Sequence, residues 1–92
     1  MKSEQSLTQN EVEYDCFAVA TLVKQFQAKT FQTTDVHLAD YLIALGYKRN
    51  DEPDIFIGED FSSLKEGTLI IGDAKEEEFV KSEYGYEVYR KR

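Results

Sequence analysis

The chain has 92 residues and a formal net charge of −7, from 18 acidic and 11 basic side chains. That length supports one hydrophobic core; two halves would each be too short for a core of their own. A composition 41% apolar and 13% aromatic argues against both a disordered tail and a membrane protein. The acid excess argues against a general binder of phosphate backbones, which needs clustered lysine and arginine.

The chain contains one cysteine, Cys16, and one histidine, His37. No intramolecular disulfide can form, and one thiol with one imidazole cannot build a structural zinc site. The first ten residues are polar and hold no apolar signal-peptide core. The apolar runs, such as Phe17–Ala20, fall far short of the ~20 residues of a membrane span. A reduced, cytoplasmic setting is the expectation, with no membrane contact, no metal and no cofactor.

Residues 1–8 offer little to bury and are expected to fray. Thr8 and Glu11 have the spacing of a capping box. Val12, Cys16, Val19, Val23 and Phe26 then recur at steps of three and four, which predicts a first helix from about Gln9 to Ala28. Lys29–Thr33 is a connector with strand character around Phe31. Asp35 is a good N-cap for a second helix, Asp35 to Leu45, with Leu38, Ala39 and Leu42 on its apolar face. Gly46 ends it, because glycine reaches the left-handed conformation without a Cβ penalty, and Tyr47 can fold back on Leu42.

Lys48–Asp54 holds the only proline, Pro53, and reads as a turn or hairpin connection. Ile55–Ile57 is a short β-prone run closed by Gly58, followed by a loop from Glu59 to Gly67. Thr68–Ile71 is a strand bounded by Gly67 and Gly72. Asp73 followed by Glu76, with Glu77 and Glu78 behind it, predicts a third helix over Ala74–Tyr84, its acids near the positive end of the macrodipole. Tyr86–Arg90 alternates as a last strand. The expected fold is one α+β domain spanning 1–92: two N-terminal helices, then a short sheet containing a C-terminal βαβ unit.

Three features bear on chemistry. Cys16 falls on the apolar stripe beside Asp15, a setting for a small buried hydrophobe rather than a nucleophile. His37 lies in the first turn of a helix, where the dipole opposes its protonation. The strand, glycine and helix start around Gly72 has no phosphate-loop motif, and the acids that follow would repel a phosphate. No arrangement of acid, base and nucleophile emerges, so the chain is read as non-enzymatic.

What remains is charge. From Asn50 to Glu66 there are six acids against Lys65 alone, without the ligand ladder of a calcium loop. Asp51, Glu52, Asp54, Glu59 and Asp60 form the candidate partner-binding surface, with Tyr84, Tyr86 and Tyr89 as a second patch, since tyrosine suits interfaces.

The stretch from Phe31 through Thr33-Thr34-Asp35, Leu38-Ala39 and Gly46-Tyr47 resembles the opening of a small uncharacterised domain found in bacterial and phage proteins. The resemblance implies a phage or mobile-element origin and brings no catalytic residues. The functional expectation is a small acidic cytoplasmic module that binds a basic protein and inhibits or modulates a host factor, without direct nucleic-acid contact. The alternative is a structural or assembly subunit acting as a homo-oligomer.

Overall fold

Asp15 and Asp35 each start a helix, and these two starts organise one end of the molecule. In the computed structural model, which describes residues 13–92, Asp15 is extended, and its carboxylate accepts a hydrogen bond from the Ala18 N–H at 3.1 Å. Helix α1 (Cys16–Gln25) follows. Asp35 accepts from the Leu38 N–H at 2.9 Å ahead of α2 (Val36–Ala44). Each carboxylate satisfies a backbone donor that the first helical turn leaves unpaired. The first helix is shorter than its periodicity predicts, because the Asp15 cap starts it at Cys16. The expected start at Gln9, the Thr8–Glu11 box and the fraying of residues 1–8 lie outside the described residues.

The end of α2 is as expected. Gly46 is left-handed at φ 104°, and the Tyr47 N–H reaches back to the Leu42 carbonyl at 3.1 Å. α1 closes in the same way, but with Gln27 at φ 59° and the Ala28 N–H on the Val23 carbonyl.

Between the helices lies β1 (Thr30–Thr33), where the sequence suggests a connector with strand character around Phe31. It is an interior strand. The remaining strands are β2 (Lys48–Arg49), β3 (Ile55–Ile57), β4 (Leu69–Ile71), β5 (Glu78–Glu83) and β6 (Tyr86–Arg90). They form one sheet in the order β2-β1-β3-β4-β6-β5. The first four run parallel; β6 is antiparallel to both β4 and β5. The described residues thus form one α+β domain, but the helices do not both precede the sheet. Its β-α-β unit is β1-α2-β2, in the N-terminal half of the sequence rather than at the C-terminus as expected.

The predicted third helix does not form. Residues of good helix propensity start a single turn, with the Glu77 N–H on the Ala74 carbonyl, and then extend as β5. Long-range pairing overrides that local preference. Tyr84 and Gly85 both have positive φ, 58° and 83°, the two-residue turn whose twist matches a hairpin. Phe79 then meets the Tyr89 ring edge-on at 5.6 Å, and Lys81 reaches Gln25 on α1 at 2.9 Å.

Both faces of the sheet are covered, by different means. On one face Val19, Leu22 and Val23 of α1 and Leu38 and Leu42 of α2 pack on Phe31, Ile55, Ile57, Ile71 and Val88. On the other, Phe56, Ile70, Ala74 and Tyr89 form a smaller cluster roofed by Phe61 and Leu64 from the β3–β4 loop. The β2–β3 connection crosses β1 on this second face. The Asp54 N–H donates to Thr30 Oγ1 and Gln32 Nε2 donates to the Asn50 carbonyl, both side chains alternating with the inward Phe31.

Two substitutions test this account. Gly72 lies where a Cβ would run into the Gly58 carbonyl oxygen, between backbones joined by the Gly58 N–H to the Ile71 carbonyl. Gly72→Ala is expected to lower stability by about 1–3 kcal/mol, read as a shifted urea midpoint at constant slope. Gln27→Gly relieves the left-handed strain after α1 and is expected to raise stability by about 0.5–1 kcal/mol in the same measurement.

Candidate functional site

The chain leaves β1 towards β2 and leaves β3 towards β4, so neighbouring parallel strands have connections that diverge. They also diverge in depth: α2 covers one face, while the loop after β3 roofs the other. Such a switch point opens a crevice beyond the carboxyl ends of the two strands, where open α/β sheets bind their ligands. A cleft of about 980 Å³ lies there. Three segments line it: Glu13, Tyr14 and Cys16 at the entry to α1; Thr34, Asp35, Val36 and His37 after β1; and Phe56, Gly58, Glu59 and Asp60 at the end of β3.

The aromatic wall is tied down from a distance. Tyr14 stacks on Tyr86, ring centroids 6.2 Å apart, and Tyr86 Oη accepts the Asp15 N–H at 2.7 Å. Strand β6 thereby holds the segment that enters α1. On the β1 side, buried Thr33 Oγ1 accepts the Asp35 N–H at 3.2 Å and sets the turn into α2.

The lining is acidic. Glu13, Asp35, Glu59 and Asp60 contribute four carboxylates, and none of the lining residues is a lysine or arginine. Among the described residues the ion pairs lie elsewhere: Lys65–Glu52, Lys81–Glu83, Arg90–Glu78 and Lys91–Glu77. Burial, then the Glu59 and Asp35 charges, push the Tyr14 hydroxyl above its ordinary range. Burial and the Asp35 and Asp15 charges also push the Cys16 thiol up, which keeps it protonated and poorly nucleophilic. The only cysteine and the only histidine of the chain therefore share this cleft without forming an activated pair. Among the described residues no group of three or more His, Cys, Asp or Glu is arranged to hold a metal ion, and no helix is long and apolar enough to cross a membrane.

The residues singled out from sequence do not share one surface. Glu59 and Asp60 reach the cleft. Asp51 and Glu52 are exposed in the β2–β3 connection, where Glu52 lies 3.9 Å from Lys65; an exposed pair of this kind adds little stability. Asp54 is occupied structurally, its carboxylate accepting the Lys29 N–H at 2.9 Å and the Thr30 N–H at 3.3 Å. The tyrosines separate too. Tyr84 is exposed at the hairpin turn, and Tyr86 packs on the helix side. Tyr89 is buried on the opposite face, donating to Glu87 at 2.6 Å; this bond, with burial, pushes its hydroxyl up to about 12.

Sequence reasoning missed Glu13, Tyr14, Asp35 and His37 as parts of a site. One signal was present: with the strand character around Phe31 taken as an interior parallel strand, Asp35 stands just past its carboxyl end. A scan against protein-family models and searches of curated proteins and of solved structures found no match to the chain. The structural role of Asp54 can be checked directly. Asp54→Ala strips two backbone donors at the start of β1 of a charged acceptor and is expected to cost about 1.5–3 kcal/mol, measured by urea unfolding.

Proposed function

We propose that the chain is a small non-enzymatic module that binds a basic protein through the acidic cleft between β1 and β3. In this reading it works in the cytoplasm as an inhibitor or modulator of a host factor, encoded by a phage or mobile element. One observation carries the reading: carboxylates from three separate segments converge on the switch-point cleft, whose lining has no lysine or arginine. A concave negative surface focuses its field, steers a positive partner and repels nucleic acid. The protonated Cys16 thiol weighs against covalent catalysis in the same cleft.

The assembly reading would use a free sheet edge or an exposed part of α1, where Phe17 is exposed. The longest free edge, β5, is irregular between Phe79 and Lys81 and carries Glu78, Lys81 and Glu83. Bulges and charges of this kind guard an edge against pairing, which weighs against assembly through β5.

The test reverses charge in the cleft. Glu59→Lys with Asp60→Lys is expected to reduce capture of basic proteins from host lysate at least about tenfold, and added salt should weaken wild-type capture in parallel. Unchanged capture by the double variant at low salt would remove the cleft from the binding surface.

A further inference from the structure

Phe17 is 73% exposed and Val36 is 65% exposed, the two most exposed large apolar side chains among the described residues. Neither packs against either core cluster. Folding gives no reason for them. Asp15 and Asp35 already cap the two helices, and a polar residue at either position would leave the helices as well started. Their place is specific, however. Phe17 follows the cleft residue Cys16 in the first turn of α1, and Val36 lines the cleft at the first residue of α2. Val36 thus presents apolar surface within the cleft lining, and Phe17 presents it one residue beyond the lining, in the first turn of α1.

Resting on the reading of a basic partner, we infer that the cleft mouth docks a peptide segment in which an apolar side chain adjoins a lysine or arginine, the cation among Glu13, Asp35, Glu59 and Asp60 and the apolar group on Phe17 and Val36. Charge complementarity selects the basic residue. The apolar contact supplies what charge alone cannot, discrimination among partners of equal charge, because exposed ion pairs contribute little net affinity and are screened by salt. A buried apolar anchor beside a polar rim is how binding energy concentrates at protein interfaces.

The experiment uses two fluorescein-labelled decapeptides of equal charge. One alternates lysine with glycine; the other replaces two central glycines by leucine. The leucine peptide is expected to bind the wild-type chain about tenfold more tightly, the equivalent of one partly buried leucine side chain. Phe17→Ser with Val36→Thr should abolish that preference by bringing the leucine peptide's affinity down to that of the glycine peptide. Both positions are exposed, so the fold should be retained, and the thermal midpoint checks it. Glu59→Lys with Asp60→Lys should weaken both peptides together. Equal binding of the two peptides by the wild type, or a preference that survives loss of Phe17 and Val36, would overturn the apolar contact and leave the acidic cleft standing. Failure of both peptides to bind, or indifference to charge reversal, would overturn the cleft and the contact together.

Discussion

The pairing of β1 with both β2 and β3 constrains every other element. A strand of four residues, paired on both edges and covered on both faces, must have its backbone polar groups satisfied at the ends as well as along its ladders. Side chains from its neighbours do this. Asp54, just before β3, accepts from the Lys29 and Thr30 N–H groups. Arg49, in β2, donates to the Thr33 carbonyl at 2.6 Å and to Gln32 Oε1 at 3.0 Å. One acid and one base thus clamp the two ends of β1, and their charge strengthens bonds that neutral partners would make more weakly. The clamp also lets β2 be only two residues long. The chain can then cross β1 to β3 through a short connection, whereas parallel strands ordinarily need a crossover of about a dozen residues or more.

With β1 fixed, the cleft follows from connectivity. Once β2 and β3 flank the same strand, the exits from β1 and β3 must separate, and the space between them stays open. The two capping aspartates at this end are partly compensated by the helix starts they close, since each helix N-terminus carries about half a positive charge. Glu13, Glu59 and Asp60 have no such compensation from a helix start. The acidity of the cleft is therefore a surplus over what the fold requires. The same distinction separates Asp54, whose charge stabilises β1, from Glu59, which belongs to no structural ion pair among the described residues.

Local signals were legible from the residues alone, and long-range ones were not. Helix α2 could be read almost to the residue because its aspartate cap, apolar spacing and glycine stop all act within a dozen positions. β3, β4 and β6 were legible for the same reason, each a short β-prone run near glycine. β1 was legible only as a connector with strand character, because Thr-Phe-Gln-Thr has one large apolar residue and its interior place in the sheet comes from partners 18 to 24 residues away. β5 was misread because glutamate, lysine and alanine favour helix locally, while the hairpin with β6 is decided by Phe79 on Tyr89 and by the turn at Tyr84 and Gly85. The cleft was hidden most deeply. It joins a segment before α1, a turn after β1 and the end of β3, and no window along the chain contains all three.

For the proposed binding role, the distribution of the acids matters more than the bulk charge of −7. The acid-rich stretch after Asn50 is divided by β3, which sends Asp54 to a structural role at one end and Glu59 and Asp60 to the cleft at the other. Asp35, from a part of the chain with no acid run, joins the latter pair. A small domain has little surface to spare and can spread carboxylates for solubility at almost no structural cost. Gathering them in a concave site is different, because like charges at close range raise one another's energy. Exposed Val36 in the cleft lining, and exposed Phe17 one residue beyond it, add a second cost. Two unfavourable features of this kind would be relieved together by the proposed occupant, one that brings positive charge and covers apolar surface.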